Sequence, residues 1–245
     1  IYASKADAQN KANVLQVLTT GATGETPESN ELVSGKIYYI RELVAPKGHK
    51  LSDDIKEVLL PPSTGTNTVV MTEYPDNEQY GRISIDKQAK HASLAGDKVF
   101  NANYSLVGAE YTVYTDANAS IQAKDKGNNL VKLTTTSDGH AVSSELLLGT
   151  YYVKETKAPN GFLIDPTVYK VELKSTDQTT SVFDVNQSVT DTEVFGNTIL
   201  NKVDDENGSI PQGKASLKGA KYSLYYADGT KVLWHAKFAP TLLNG

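Results

Sequence analysis

The 245-residue sequence contains no cysteine, which excludes disulfides, thiol nucleophiles and cysteine-based metal sites. No apolar run approaches the roughly 20 residues that a membrane-spanning helix needs. The first ten residues lack the basic start and apolar core of a signal peptide. The formal net charge of −5 argues against a nucleic-acid or anionic-membrane partner. The four histidines are scattered without ligand spacing, so neither a metal site nor a cofactor is expected.

The residues that are present favour β-structure. Apolar residues make up 39% of the chain, and 14 tyrosines accompany abundant threonine and valine. Short alternating segments separated by turn residues such as Asp138-Gly139 and Asn160-Gly161 predict strands; these segments are 111–115, 129–136, 150–156, 168–173 and 180–185. The best segment of helical period is 6–18. The sequence therefore predicts an all-β fold.

An internal repeat organises the chain. The pattern Tyr-Tyr-x-x-Glu-x-x-Ala-Pro-x-Gly occurs around Glu42 and again around Glu155, at an offset of 155 − 42 = 113 residues. Three further pairs of segments recur at offsets of 111 to 115: DNEQYG (76–81) with DTEVFG (191–196), ISIDK (83–87) with TILNK (198–202), and LVGAEYTVY (106–114) with LKGAKYSLY (217–225). The period is the size of one ordinary β-sandwich module.

The repeat divides the chain into one complete and two partial modules. Residues 81–197 contain every repeated segment. Residues 1–80 align with a module that lacks its first strands, and residues 198–245 align with the N-terminal part of a third. A head-to-tail pairing of two copies, with Lys202 facing Glu42 and Asp76 of a neighbour, is an alternative explanation of the partial ends.

Strand periodicity places three charged side chains toward the interior. Alternate residues of a strand share one face, so a lysine, a glutamate and an aspartate each follow the apolar side of their strand: Ile83, Ile85 and Lys87; Tyr151, Val153 and Glu155; Val189 and Asp191. In the first copy the same alternation places Tyr38, Ile40 and Glu42 on one strand face and predicts that Arg41 points to solvent. The alternation around Lys202 is less regular: Leu200 shares its strand face, but the apolar Val203 lies on the opposite face.

Buried charges are costly, so such groups pair, neutralise or react. One interpretation is a buried ion-pair network. The other is chemistry: desolvation favours a neutral Lys87 amine, which is a nucleophile. Glu155 would then act as the proton shuttle while Lys87 Nζ forms an amide with Asp191 Cγ. The matching placements in both copies favour this self-modification, which turns over once and does not make the protein an enzyme.

At this level of detail the sequence resembles a known family. The segments around Glu42 and Glu155, the opening ISIDK and the closing DTEVFG are similar to motifs of Cna-B-type modules (transthyretin-like, reversed immunoglobulin-like) of Gram-positive surface adhesins and pilins. The resemblance implies an all-β sandwich. It also implies Lys87 and Asp191 as partners of an isopeptide bond, with Glu155 as the catalytic acid.

The resemblance extends to the partial modules. It implies Glu42 and Asp76 as the catalytic acid and the acceptor of the first, and Lys202 as the lysine of the third. Family members use Asp or Asn as acceptor, so Asn197 is an alternative to Asp191. Asp191 is preferred because it aligns with Asp76, whereas Asn197 aligns with Arg82.

The expected function is a structural stalk segment of a cell-wall-anchored, extracellular protein, with neighbouring modules of the same chain as its partners. The segment Glu73–Asn77 is similar to a pilin motif but has Asp76 where a sortase would join a lysine, which favours a stalk or adhesin segment over a polymerising shaft. The alternative function is an adhesive module that recognises a host matrix protein or a glycan. Neither a membrane-inserted segment nor a nucleic-acid partner is expected.

Overall fold

The computed structural model describes residues 1–62, 65, 68–89, 104–194 and 198–223. Nearly all regular structure in these residues is β, as the sequence predicts. The strands are β1 (Ile37–Arg41), β2 (His49–Lys50), β3 (Ile55–Leu59), β4 (Asn77–Glu78), β5 (Tyr80–Ala89), β6 (Glu110–Tyr114), β7 (Lys132–Thr134), β8 (His140–Val142), β9 (Leu146–Leu147), β10 (Gly149–Lys157), β11 (Val168–Leu173) and β12 (Val182–Asp191). No helix in the described residues is long and apolar enough to cross a membrane.

Strands β5 to β12 form a sandwich of two sheets. One sheet has the order β11-β10-β6-β7, and the other has the order β12-β5-β8, with β9 also paired to β5. The pairs are antiparallel except that β12 runs parallel to β5. The first and last strands of the sandwich therefore lie side by side.

The core fills the space between the two sheets. It consists of the inward residues of each strand, which alternate with outward ones as strand geometry requires; among them are Ile83, Ile85, Tyr111, Val113, Val153, Val171, Leu173 and Val189. The predicted inward faces of the strands that carry Lys87, Glu155 and Asp191 are confirmed by this burial.

The N-terminal part of the chain is a smaller β-unit with one short helix. Helix α1 spans Lys5–Asn10, where Ser4 accepts the N–H of Asp7 at the start and Lys11 ends the helix in a left-handed conformation. Within the segment of helical period, 6–18, the helix therefore continues only to Asn10. Arg41, expected to face solvent, instead donates to the carbonyls of Ala8 and Gln9 at the helix end, so its side chain is only 11% exposed.

The strand pairings of the two parts repeat at the offsets found in the sequence. Three pairs of the first part recur in the second: Tyr2↔Tyr39 as Tyr114↔Tyr152, Tyr38↔Val58 as Tyr151↔Val171, and His49↔Glu78 as Phe162↔Glu193. The sequence repeat thus corresponds to repeated backbone register. In contrast, residues 198–223 form no strand beyond the isolated bridge Asp204↔Gly208.

A turn at residues 177–180 joins the two β-units. Gln178 donates through Nε2 to the carbonyl of Ala45 at 2.7 Å, and its own carbonyl accepts the N–H of Leu51 at 2.8 Å. The buried side chain of Gln79 donates to the carbonyls of Asp177 and Thr180 at 2.9 and 2.8 Å. These hydrogen bonds hold the turn against the Ala-Pro-x-Gly segment of the first unit.

The turn is itself rigid because Asp177 caps it. Its carboxylate accepts the backbone N–H groups of Thr180 and Thr179, both at 2.7 Å, and also their hydroxyls. These hydrogen bonds favour the charged form and lower the pKa of Asp177 to about 2. The joint is thus preorganised on the side of the second unit.

We predict that replacing Gln79 and Gln178 together by alanine loosens this joint without unfolding either unit. Backbone ¹⁵N relaxation of the full chain should then give a shorter rotational correlation time for both units than in the wild type. Gln88→Ala, which removes an exposed glutamine side chain on β5, is the matched control. Unchanged tumbling of the double variant would show that these hydrogen bonds do not hold the units together.

Gly139 gives a second prediction about the fold. Its φ is 80°, and an added Cβ would lie 2.4 Å from the carbonyl oxygen of Lys87. Gly139→Ala should therefore destabilise the protein by about 2–4 kcal/mol in denaturant unfolding, from strain and overlap together. Gly108 has a similar φ of 82° with no atom near its Cβ position, so Gly108→Ala should cost only about 1–2 kcal/mol. Equal losses would show that contact with Lys87 is unimportant.

Candidate functional site

Lys87 and Asp191 are brought together by the parallel pair β5–β12. In this register Lys87 lies opposite Val189, and Asp191 lies two residues further along the same face. The two side chains are therefore diagonal neighbours that both point into the core. Pairing the first and last strands in parallel explains how residues more than one hundred positions apart in the sequence come into contact.

Glu155 and Tyr111 approach from the opposite sheet. They are direct cross-strand partners on β10 and β6, and both side chains point toward β5. Lys87 and Tyr111 are 0% exposed, and Glu155 and Asp191 are 1% exposed. Two residues from each sheet thus form one cluster that solvent does not reach.

The Lys87 amine has three oxygen neighbours. Nζ donates to Glu155 Oε1 at 2.7 Å and to Tyr111 Oη at 2.8 Å. It lies 2.5 Å from Asp191 Oδ2. Neither oxygen of Asp191 receives a hydrogen bond of ordinary geometry from the described residues. Glu155 is therefore hydrogen-bonded to the amine, whereas Asp191 is held against it without that restraint.

Burial changes the protonation of Asp191. Desolvation raises its pKa to about 6, and the nearby carboxylates of Glu155 and Asp165 act in the same direction, while Lys87 acts against them. The neutral form of Asp191 is therefore easier to reach than that of an exposed aspartate. Desolvation also raises the pKa of Tyr111, so its hydroxyl keeps its proton.

The second oxygen of Glu155 is held by a loop. Glu155 Oε2 accepts the backbone N–H of Asp165 at 2.7 Å, and the Asp165 carboxylate accepts the Tyr169 hydroxyl at 2.6 Å. Desolvation and this hydrogen bond raise the pKa of Tyr169 to about 12, so it remains a donor. Both oxygens of Glu155 therefore have defined partners, which fixes the carboxylate toward Lys87.

The Ala-Pro-Asn-Gly turn that follows Glu155 also positions Asp191. Leu163 donates its N–H to the carbonyl of Thr192, and Val194 donates its N–H to the carbonyl of Gly161, at 2.9 and 2.8 Å. The sequence predicts Asn160-Gly161 only as a turn between strands. In the structure it also pairs with the residues directly after Asp191 and holds that end of β12.

The first repeat unit reproduces part of this arrangement. Glu42 Oε2 accepts the N–H of Ser52 at 2.9 Å, which matches the contact between Glu155 and Asp165 at the same offset of 113. Glu42 is half-buried, and Asp76 is half-buried in irregular backbone.

The remaining predicted residues are not in the cluster. Lys202 is exposed and lies in irregular backbone, so the structure does not place it on an inward face, and its role stays a prediction. Asn197 lies outside the described residues. The structure thus brings together Lys87, Glu155 and Asp191; of the other predicted site residues that it describes, it joins neither Glu42 and Asp76 nor Lys202 to them.

Sequence reasoning missed Tyr111 and Asp165 as members of the site. Tyr111 belongs to the repeated Gly-Ala-x-Tyr pattern, which recurs at Tyr222, so its repetition was a usable signal. Asp165 contributes a backbone N–H, which any residue other than proline supplies. No residue pattern could have identified it.

The arrangement suits a reaction within the chain. The Lys87 amine, a carboxyl with raised pKa and a second carboxylate are in contact, and solvent does not reach any of them. Among the described residues no group of three or more His, Cys, Asp or Glu side chains could hold a metal ion.

Comparisons with known proteins support the fold. Residues 92–188 match the family model of the SpaA prealbumin-like fold domain. The Bacillus anthracis TIE protein superposes on 73% of this chain, and on 29% of its own, with 28% sequence identity and a TM-score of 0.51. BcpA, the major pilin subunit of Bacillus cereus, matches 47% of this chain and 29% of its own with 26% identity and a TM-score of 0.31.

A curated relative is the trypsin-resistant surface T6 protein of Streptococcus pyogenes serotype M6, which is 33% identical over 67 residues. That match covers 27% of this chain and 11% of the T6 protein. The chain therefore spans only a small part of its relatives' length. The predicted resemblance to Cna-B-type modules is confirmed over residues 92–188, which match the family model of the SpaA prealbumin-like fold domain.

Proposed function

We propose that this chain is a structural stalk segment of a Gram-positive surface adhesin or pilin, stabilised by an isopeptide bond between Lys87 and Asp191. The observation that carries the proposal is the solvent-free contact of Lys87 Nζ with Asp191 at 2.5 Å and with Glu155 at 2.7 Å. The surface T6 protein and the BcpA pilin are similar to this chain in sequence, which supports the location and the structural role.

The reaction uses only groups of the cluster. The Lys87 ammonium first gives one proton to the Asp191 carboxylate, which produces a neutral amine and a neutral acid. Nζ then attacks Asp191 Cγ to form a tetrahedral intermediate. Glu155 takes a second proton from the nitrogen and delivers it to the departing hydroxyl, which leaves as water. The products are one amide and one water, and Glu155 returns to its initial state.

Proximity replaces an activating cofactor in this scheme. Groups held in reactive contact gain an effective concentration that no intermolecular reaction reaches. Burial also favours the neutral form of the Asp191 carboxyl. An unreacted buried triad would instead keep two carboxylates and one ammonium away from water, which is costly.

Asp191 is the better acceptor of the two carboxylates. Both oxygens of Glu155 accept hydrogen bonds, from Lys87 and from the backbone of Asp165, which stabilises its charged form. Asp191 lacks hydrogen bonds of ordinary geometry within the described residues and has a raised pKa. Once Asp191 is protonated, its hydroxyl can leave as water.

The bond would join the first strand of the sandwich to the last. The enclosed segment spans 191 − 87 = 104 residues, and a cross-link of that length constrains the unfolded chain by about 4–5 kcal/mol in the entropy model. Tension applied at the two ends of the sandwich would pass through the covalent bond between β5 and β12. A stalk without disulfides gains its mechanical strength in this way.

We also propose the tandem organisation predicted from the sequence, with modules at 1–80, 81–197 and 198–245. The repeated strand register and the hydrogen-bonded joint at Gln178 support contact between neighbouring modules of one chain. The protein is proposed to be extracellular and linked to the cell wall. A host matrix or glycan ligand would need a separate binding site and is not part of this proposal.

Intact mass of the folded chain tests the proposal directly. The wild-type protein should weigh one water less than its sequence, since among the described residues Lys87 is the lysine that contacts both acids. Peptide mapping should recover the peptide containing Lys87 joined to the peptide containing Asp191. Lys87→Ala should restore the full mass, and Asp191→Asn should lose ammonia instead of water.

An unmodified mass of the folded wild type would refute the isopeptide bond. Loss of ammonia by the wild type would assign the acceptor to an asparagine, as the alternative Asn197 requires. Lys126→Ala, which removes an exposed lysine paired with Glu145, serves as the matched control and should leave the loss of water intact.

The role of Glu155 gives a separate prediction. Glu155→Gln keeps the shape of the side chain but cannot carry the proton from nitrogen to the leaving hydroxyl, so the rate of water loss after refolding should fall by about 10²–10⁴-fold. The time course of intact mass measures this rate. Glu145→Gln, which changes a half-buried glutamate outside the cluster, should react at the wild-type rate. A Glu155→Gln protein that cross-links at the normal rate would exclude a catalytic role.

A further inference from the structure

The third neighbour of the Lys87 amine is Tyr111, which neither takes nor gives a proton in the proposed reaction. Tyr111 Oη accepts an N–H of Lys87 at 2.8 Å, so the three N–H groups of the ammonium face three different oxygens. The tyrosine is fully buried, and the amine lies 5.3 Å from the centroid of its ring. Its backbone is in register with Glu155, so the same strand pair positions both groups.

The three oxygens differ in what they can do with a hydrogen. The carboxylates of Glu155 and Asp191 are bases that can remove a proton. A neutral phenol oxygen can accept a hydrogen bond but does not take the proton. The Tyr111 hydroxyl remains neutral because its own ionisation is disfavoured by burial and by the adjacent carboxylates.

Amide formation removes two of the three hydrogens on the Lys87 nitrogen, and the neighbours of that nitrogen decide which two. The ammonium has three, and the amide product keeps one. The hydrogen that faces Asp191 must leave first to expose the lone pair toward Cγ, and the hydrogen that faces Glu155 leaves second. The hydrogen that faces Tyr111 has no base beside it, so it is the one that the product retains.

We infer that Tyr111 is the positioning residue of the cross-linking reaction: its hydroxyl holds the N–H that the isopeptide bond keeps, and so aims the amine lone pair at Asp191. This inference rests on the proposed function. Without the hydroxyl, the ammonium can rotate about Cε–Nζ and tilt toward the carboxylates, so the lone pair is no longer aligned with Cγ.

Tyr111→Phe tests the inference because it removes the hydroxyl and keeps the ring. The rate of water loss after refolding, followed by intact mass, should fall roughly 10- to 100-fold, the range expected for loss of one hydrogen bond to a charged donor. Tyr151→Phe is the matched control: Tyr151 is also buried, and its hydroxyl donates to the carbonyl of Leu147 at 2.9 Å. Its rate should stay within about twofold of the wild type.

A second measurement separates positioning from general loosening of the core. In protein labelled with ¹⁵N-lysine, hydrogen exchange of the isopeptide Nζ–H should be at least tenfold faster in the Tyr111→Phe product than in the wild type. The backbone amide of Asp165, which donates to Glu155, should keep its protection. Faster exchange at both positions would mean that the variant loosens the whole site, and this would overturn the inference.

The remaining outcomes are distinguishable. A wild type that loses water, together with a Tyr111→Phe variant that loses it at the same rate, would overturn the role of Tyr111 and leave the isopeptide bond standing. A wild type of unmodified mass would refute both. If the variant fails to fold, the wild-type product decides: the Nζ–H should show a nuclear Overhauser contact with the Tyr111 hydroxyl, and its absence would overturn the inference.

Discussion

A lysine ammonium and two carboxylates share one dry space between the sheets, and the rest of the structure is arranged around that constraint. If all three groups are charged, the cluster carries a net charge of −1 away from water, which a protein interior tolerates poorly. The cost is reduced in two ways in the structure. Hydrogen bonds to Glu155 stabilise its charge, and the raised pKa of Asp191 allows that carboxyl to become neutral. The two carboxylates therefore lie in different environments, as the proposed condensation requires.

The same constraint explains why the strand register matters. A slip of one residue between β5 and its neighbours would turn Lys87 outward together with Ile83 and Ile85. Burial of Ile83 and Ile85 therefore fixes the inward position of Lys87 on the same strand. At the other end of the contact, the backbone pairing of Gly161 and Leu163 with residues 192–194 holds Asp191 in place. Positioning is achieved by ordinary sheet geometry and one tight turn.

Much of the site could be predicted from the sequence because it depends on local period. Alternation along each strand was enough to place Lys87, Glu155 and Asp191 inward, and self-comparison was enough to relate Glu42 to Glu155. Contacts set by packing between distant elements were not accessible in this way. The hydroxyl contact of Tyr111 depends on the separation of the two sheets.

Arg41 and α1 also show that the local sequence pattern does not predict contacts between distant segments. Period 2 placed Arg41 outward correctly, but a helix that covers that face turned the position into a partly buried one. The helix itself is shorter than its periodic pattern, since Lys11 and Asn13 both take positive φ values of 54° and 50° and end the helical backbone. Local pattern does not reveal which face a remote segment will cover.

The comparison of Glu42 with Glu155 separates the effect of the local loop from the effect of burial by the facing sheet. Both carboxylates accept a backbone N–H ten residues downstream, from Ser52 and from Asp165. The loop that holds the glutamate therefore forms whether or not the residue is fully buried. Complete burial comes from the facing sheet, which carries Lys87 and Asp191. The local loop thus orients the carboxylate of Glu155, and packing of the two sheets brings Lys87 and Asp191 to it and excludes water. Chemistry in such a module would begin only once the two sheets have packed, which confines the bond to correctly folded chains.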